Sequence, residues 1–479
     1  MFVFLWKEVI YMKKTKIICS IGPASNTPDV MEQMVIAGMN VARINCSHAT
    51  MEEKIQVVAT VKEVRARTNK NIAILYDLKG PEFRSGILEG NEIELIEGNT
   101  IRVVKEDIIG NIERFTVNHP QAIDSLNIGN TILLENGLMK IEVVSKESDG
   151  VTCKIVNGGI LGNRKSLSCP EVKLDIPYVS QQDKEDAIYA CTHDADYLAL
   201  SFVTCREEIL EIKEILKSQG RGDLKLICKI ENGLGVENLD EILDESEGIM
   251  VARGDLGTEV NMETIPFIQK NMIKKARELG KIAIVATEML ESMKKNSRPT
   301  RAEISDVANA VLDGTDAVML SGESTVGKYP IETVQAMANI CVATEEHAHY
   351  NGLFKYKQVI GITQTIANAV VKSANMLDAK LIVAATATGF TARKISNLKP
   401  IPIVLAACMS EETGRGLALN YGVYPVVIPT KSTVDEMLEI SKKVAMEFME
   451  LKEGDNIIIT GGFPTGITKN TNLMKIETI

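Results

Sequence analysis

The sequence predicts an α/β protein: a (β/α)8 TIM barrel, interrupted by a small inserted β-barrel domain and followed by a C-terminal α/β domain. Three observations carry that expectation. Eight short apolar runs end in polar or small residues: TKIICSIG (15–22), NVARINCS (40–47), IAILYDLKG (72–80), YLALSF (197–202), KLICKIEN (225–232), GIMVARGD (248–255), IAIVATEM (282–289) and AVMLSGES (317–324). Helical patterns lie between most of them. From about 81 to 176, between the third and fourth runs, the pattern changes to alternating apolar and polar residues.

The eight runs are rich in Ile, Val and Leu and most are too short for helices, which suits strands buried on both faces of a parallel sheet. Eight is the count at which such a sheet closes. The first helix starts where Thr27 can cap it and Pro28 can occupy its first turn, and Gly38 can stop it. PTRAEISDVANAVLDG (299–314) is a second clear case. Thr300 and Glu303 form a capping box, Ile304, Val307, Ala308, Val311 and Leu312 share one face, and Gly314 closes the helix. The insert holds NEIELIEG, TIRVVKED and TILLENGLMKIEVV, separated by glycine and asparagine turns. From about 343 a further α/β unit is expected, with strands LIVAAT (381–386), IPIVLAAC (401–408), VYPVVIP (423–429) and NIIITGG (456–462). The predicted domains are 12–80 with 177–342 for the barrel, 81–176 for the insert and 343–479 for the last unit. Residues 1–11, MFVFLWKEVIY, read as an upstream extension, too short to span a bilayer and without a small-residue cleavage site after them.

The formal net charge of −11 argues against a sequence-independent nucleic-acid binder, which needs a basic face. An anionic small substrate remains open, given local positive charge or a metal. Nine cysteines without a CxxC pair read as reduced thiols of a cytoplasmic protein. The close pair His347 and His349 would diverge on a helix, so no zinc site is expected.

In this fold the C-terminal strand ends build the active site. Those ends carry Arg43, Asn45, Ser47, Asp77, Lys79, Ser201, Lys229, Glu231, Arg253, Asp255, Thr287, Glu288, Ser321 and Glu323. Glu231 and Asp255 fall on successive strand ends, and two hard carboxylates there suit Mg²⁺ or Mn²⁺. The plainer reading is a pair of rim acids bonded to Arg253. Lys229, two residues before Glu231, points to the same face of its strand. With Arg43 and Arg84 it forms a group able to bind a phosphorylated carboxylic acid and stabilise a moving phosphoryl group. GESTVGKY (322–329) nearly matches a phosphate-binding loop, but Tyr329 replaces the required hydroxyl residue and the segment follows a barrel strand, so it reads as a chance match.

From about residue 13 the chain resembles the pyruvate kinase family. KTKIICSIGPAS, AGMNVARINCSH, KGPEFRSG, KIEN, GIMVARGDLG, RPTRAEISDVANAVLDGTDAVMLSGE and TKNTNLMKI follow the family's order. The resemblance implies transfer of a phosphoryl group from phosphoenolpyruvate to ADP, giving pyruvate and ATP, the last step of glycolysis. It implies Mg²⁺ or Mn²⁺ on Glu231 and Asp255, Lys229 beside the phosphoryl group in flight, and Arg43 and Arg84 on phosphate. Gly254 and Asp255 would bind substrate. Thr287, with Ser321 and Glu323 nearby, would lie on the route that protonates the enolate. Asn45, Ser47, Asp77 and position 78 match a K⁺ site, and His48 and Lys165 match nucleotide contacts. The insert would close as a lid. A phosphorylated effector would sit at Thr386, Thr388, Gly389 and Thr391 in TATGFTARK, near GGFPTG (461–466), unless that stretch is a plain strand–helix turn. A cytoplasmic homotetramer without nucleic-acid or membrane partners is implied as well.

Several positions depart from the family pattern. Leu78 replaces a threonine of the K⁺ site, while Glu82 keeps the acid typical of K⁺-dependent members. Glu135-Asn136-Gly137 stands for Asp-Asp-Gly, and Lys165-Ser166-Leu167-Ser168-Cys169-Pro170-Glu171 for Lys-Gly-Val-Asn-Leu-Pro-Gly. Thr204 stands for arginine and Glu288 for glutamine. These changes cluster in the lid and at the K⁺ site, so phosphoenolpyruvate binding is expected to survive while nucleotide preference, turnover or K⁺ need is altered. Two other readings fit the rim residues: a metal-dependent aldolase or lyase on the same barrel, and a drifted copy that binds phosphoenolpyruvate as a sensor.

Overall fold

The computed structural model describes residues 12–170, 172–348, 361–429, 433–464 and 469–479. The extension expected at 1–11, Glu171, His349 and residues 465–466 of the GGFPTG stretch lie outside the described residues.

All eight apolar runs become strands, each slightly shorter than its run. Three precede the insert: β1 (Lys16–Ser20), β2 (Val41–Asn45) and β3 (Ala73–Asp77). The insert supplies β4 (Glu92–Leu95), β5 (Thr100–Val104), β6 (Arg114–Thr116), β7 (Thr131–Leu134), β8 (Met139–Glu147), β9 (Gly150–Asn157), β10 (Gly159–Gly162) and β11 (Leu167–Ser168). Then come β12 (Tyr197–Leu200), β13 (Lys225–Ile230), β14 (Gly248–Ala252), β15 (Ile282–Ala286) and β16 (Ala317–Leu320). The parallel order β1-β2-β3-β12-β13-β14-β15-β16 closes on itself, β16 pairing with β1. In the insert, β4 pairs with β10, and the other strands form one sheet ordered β11-β7-β8-β9-β5-β6. Two single bridges, Arg84 to Ser166 and Ser85 to Val117, link the two edges of that sheet and round it into a barrel.

The expected helices form for the expected reasons. Thr27 caps Pro28–Ala37, and Gly38 ends it at φ 127°. Arg301–Asp313 has the predicted capping box, and Gly314 closes it in the left-handed region. Its buried stripe is narrower than its sequence suggests. Val307, Ala310 and Val311 are buried, whereas Ile304 and Leu312 are exposed. An outer-ring helix presents only one stripe to its neighbours, and these two residues lie on its flanks. The phosphate-loop look-alike at 322–329 begins with a four-residue helix, Gly322–Thr325, and a Cβ added at Gly327 just after it would lie 2.2 Å from the Glu323 carbonyl oxygen.

The C-terminal unit contains the four expected strands, β17 (Leu381–Thr386), β18 (Ile403–Cys408), β19 (Val423–Val427) and β20 (Asn456–Gly461). A fifth, β21 (Leu473–Thr478), escaped the sequence reading. It runs antiparallel along β20 at the sheet edge, with no buried residue to give it an apolar signature. This unit seals the N-terminal end of the barrel. Ala418 and Leu419 belong to the same apolar cluster as the inward residues Ile18, Val41, Leu75, Ile227 and Met250. Tyr197 Oη and Lys225 Nζ both donate to the Gly416 carbonyl, at 2.9 and 2.7 Å. Lys16 Nζ donates to the Val423 carbonyl at 2.6 Å, and Lys399 pairs with Asp316. A Cβ at position 416 would lie 1.9 Å from Lys225 Nζ, so a larger residue there would displace the end of that lysine.

Candidate active site

With one end sealed, the open rim is the C-terminal end of the strands. Two strand ends, those of β3 and β13, bring Asp77, Lys229 and Glu231 together. Asp77 is 1% exposed; its Oδ2 accepts from Arg43 Nε at 2.6 Å and its Oδ1 lies 3.3 Å from Lys229 Nζ. Lys229 Nζ also lies 3.1 Å from Glu231 Oε1 and donates to Ser201 Oγ at 2.7 Å. Arg43 Nη1 donates to Ser20 Oγ at 2.7 Å, so this arginine is fixed from two sides.

Burial alone would lower the Lys229 pKa, but Asp77 and Glu231 outweigh it and keep the ammonium charged. Glu231, 1% exposed, is lifted to about 7 by burial; Lys229 opposes the rise, and the charges of Asp255 and Asp77 add to it. Two buried carboxylates, Asp77 and Glu231, and the exposed Asp255 therefore face two cations, Lys229 and Arg43. That excess of negative charge, on hard oxygen donors, fits a divalent cation of the Mg²⁺ or Mn²⁺ type. Among the described residues no group of three or more His, Cys, Asp and Glu side chains is placed to hold a metal ion. A two-carboxylate site is the kind Mg²⁺ uses when water and substrate complete its shell.

Asp255 is exposed, in the first turn of helix Arg253–Glu259, which starts directly at the end of β14. Arg253 does not bond the two rim acids. Its Nη1 pairs with Asp306 at 2.7 Å and its Nη2 donates to the Thr287 carbonyl at 2.7 Å. It thus braces a strained turn, for Thr287 and Glu288 both lie in the left-handed region, at φ 68° and 52°. A β-branched residue there is an outlier that only surrounding contacts can hold. Thr287 Oγ1 accepts the Gly254 N–H at 2.8 Å and donates to the Ala286 carbonyl at 2.6 Å. Glu323 is 1% exposed, and its two oxygens accept main-chain N–H groups of Leu290 and Ser321, at 3.1 and 2.8 Å.

The remaining predicted residues are spread from the rim to the C-terminal unit. Asn45 Oδ1 accepts the Ser47 N–H at 3.2 Å, and His48 is exposed in the same turn. Leu78 is 2% exposed and offers no side-chain oxygen. Arg84 is engaged by both oxygens of Glu82, at 2.9 and 2.6 Å, and Lys79 shares that carboxylate at 2.9 Å. Against the effect of its burial, the two cations hold Glu82 below the usual carboxylate range. Lys165 pairs with Glu135 at 2.5 Å, so a nucleotide-matching lysine and a residue that departs from the family pattern meet. Thr204 bonds Glu208 through its N–H and hydroxyl, at 2.6 and 2.7 Å, which caps the following helix. In the C-terminal unit Thr386 and Thr391 are buried, Thr391 bonded to Thr471 at 2.8 Å, while Thr388 is exposed.

Sequence reasoning missed Ser20, Phe202 and Asp306. Ser20 ends the first apolar run, the signal that found its neighbours. Asp306 lies mid-helix, where an acid signals only a solvated face. Phe202 acts through its backbone: its N–H donates to Glu231 Oε2 at 2.7 Å, from φ 56°.

Comparison with known proteins decides what this rim serves. A family model described as pyruvate kinase, barrel domain, matches residues 12–334, and one described as pyruvate kinase, alpha/beta domain, matches 364–477. The chain belongs to the pyruvate kinase family. It is 42% identical to the pyruvate kinase of Geobacillus stearothermophilus over 98% of its own length and 80% of that protein's. The Staphylococcus aureus (strain MRSA252) pyruvate kinase is also 42% identical, over 98% and 81%. The crystal structure of a pyruvate kinase from Cryptosporidium parvum superimposes with a TM-score of 0.92 at 36% identity, covering 97% of this chain and 96% of that one. The activity is the family's phosphoryl transfer from phosphoenolpyruvate to ADP, the last step of glycolysis. Among the described residues no helix is long and apolar enough to cross a membrane.

Proposed function

We propose that Lys229, Glu231 and Asp255 carry this transfer in a cytoplasmic enzyme, with Mg²⁺ or Mn²⁺ held by the two carboxylates. The supporting observation is the charge imbalance around buried Glu231, which a dication removes. When bound, the metal neutralises developing charge on phosphate and enolate. Lys229 keeps a fixed positive charge beside the moving phosphoryl group. Arg43, clamped by Asp77 and Ser20, is preset for phosphate, and Arg84 joins it when its Glu82 contact is exchanged. Gly254 and Asp255 bind substrate at the helix start. The Thr287 hydroxyl serves the proton route to the enolate, with Ser321 and Glu323 shaping that rim.

The departures from the family pattern set the finer properties. Asn45, Ser47 and Asp77 would hold K⁺, but Leu78 contributes no side-chain oxygen, so the K⁺ requirement is weakened. His48 and Lys165 take the nucleotide, and Lys165 must first exchange Glu135, which alters nucleotide preference. Residues 81–176 close over the rim as a lid and exclude water. A phosphorylated effector contacts the 386–391 loop, and four copies assemble. A coupled assay across nucleoside diphosphates, after chelation and with Mg²⁺, Mn²⁺ and K⁺ added in turn, tests the reading. Metal-dependent ATP formation with weak K⁺ activation is expected. Full K⁺ activation with an ordinary ADP preference would remove the altered properties, and no nucleoside triphosphate from any diphosphate would overturn the reading of these residues as an active site.

A further inference from the structure

The lid joins the barrel by two crossing strands, and both meet the rim at one peptide bond, between Ser201 and Phe202. The outgoing strand passes Gly80, at φ +71°, where an added Cβ would lie 2.7 Å from the Ser201 carbonyl oxygen. The returning strand carries Tyr178, 8% exposed, whose hydroxyl donates to that same carbonyl at 3.0 Å. Asp183 ties the two strands together. Its Oδ1 accepts the N–H groups of Lys79 and Gly80, at 2.9 and 3.2 Å, and its Oδ2 accepts the Ser180 hydroxyl at 2.6 Å.

The other side of the peptide faces the site. Its N–H, on Phe202, donates to Glu231 Oε2 at 2.7 Å, and the Ser201 hydroxyl accepts from Lys229 at 2.7 Å. Phe202 stands at φ 56°, a conformation that is strained for a bulky residue and persists only when its surroundings fix it. A peptide unit is planar, so fixing its C=O also fixes its N–H.

We propose that Tyr178 is a positioning residue for the divalent-metal site: by holding the Ser201 carbonyl at the lid hinge, its hydroxyl aims the Phe202 N–H at Glu231. The proposal rests on Glu231 binding the metal, as argued above. Partners outside a metal's ligands orient those ligands, and their loss typically weakens metal affinity roughly 10–100-fold. Tyr178 acts one bond further out, so an effect at the lower end, about ten-fold, is expected.

Tyr178→Phe keeps the ring and removes only the hydroxyl. Tyr197→Phe is the control, since it removes a buried tyrosine hydrogen bond of 2.9 Å, to the Gly416 carbonyl, at the sealed end of the barrel. Mn²⁺ binding is measured directly on the full-length protein by electron paramagnetic resonance, without substrate. About ten-fold weaker binding in Tyr178→Phe, with wild-type binding in Tyr197→Phe, is the expected result. Wild-type affinity in Tyr178→Phe, or equal weakening in both variants, overturns the proposal alone. A wild-type protein that binds no Mn²⁺ overturns it together with the metal reading on which it rests.

Discussion

The two ends of the barrel both bury lysines, and they treat them in opposite ways. At the open rim Lys229 faces the full charges of Asp77 and Glu231 and the Ser201 hydroxyl, and its pKa is raised despite burial. At the sealed end Lys16 meets the Val423 carbonyl and the Tyr424 ring, and its pKa falls well below the ordinary value. Lys225 meets the Gly416 carbonyl and the Tyr197 ring, and burial takes it down to about 8. Lys399 has Asp316 beside it, yet burial and the nearby Arg277 charge still leave it at about 8. Carbonyl dipoles and ring faces satisfy an ammonium's hydrogens without matching its charge. The rim holds its cation among carboxylates that keep it charged, as the proposed reaction needs, while the sealed end uses lysines to hold two units together.

The sharpest way to break this comparison is to remove the rim cation. Lys229→Met should lower kcat by about 10²–10³-fold, the scale of losing one preorganised charge partner. Steady-state kinetics with folding checked by circular dichroism measure it, and a kcat within a few-fold of wild type would deny the rim its role. At the sealed end Leu419→Ala should cost stability instead, about 2–5 kcal/mol for a fully buried leucine. Denaturant unfolding reads that loss, and kcat per folded molecule should hold.

Lys225→Met sharpens the contrast further, because burial brings the folded pKa of Lys225 down to about 8 from the ordinary lysine value of 10.5. Between those values the unfolded chain binds a proton that the folded chain does not, so the lysine's contribution to stability grows as pH rises from 8 to 10.5 and is lost as pH falls back. Wild type should therefore gain on Lys225→Met by on the order of 1–3 kcal/mol across that window. Parallel unfolding curves of the two proteins at pH 8 and pH 10 would rule the depressed pKa out. The smallest effect is expected at position 78. Leu78→Thr should restore K⁺ activation by a few-fold, read as the ratio of rates with and without K⁺, and an unchanged ratio would free Leu78 from blame.

Much of this was legible in the chain. Strands β1, β13 and β17 announce themselves because a strand buried on both faces must be mostly apolar, and a charged residue near or just beyond its C-terminal end is conspicuous. That signal found Arg43, Asp77, Lys229 and Glu231. It did not find Phe202, which acts through its N–H, nor Asp306, whose partner Arg253 is 53 residues away in sequence. Edge strand β21 stayed hidden because it buries no side chain.

The sequence by itself determined the barrel, its interruption and the types of charge at its rim, since burial and periodicity are properties of local runs. Which end is sealed, which way each buried lysine's pKa moves, and how the connection between insert and barrel reaches Glu231 were decided by tertiary structure alone. Those depend on distances between residues far apart in the chain, such as Tyr178 to Ser201 and Lys225 to Gly416, and on how much water burial removes from each group.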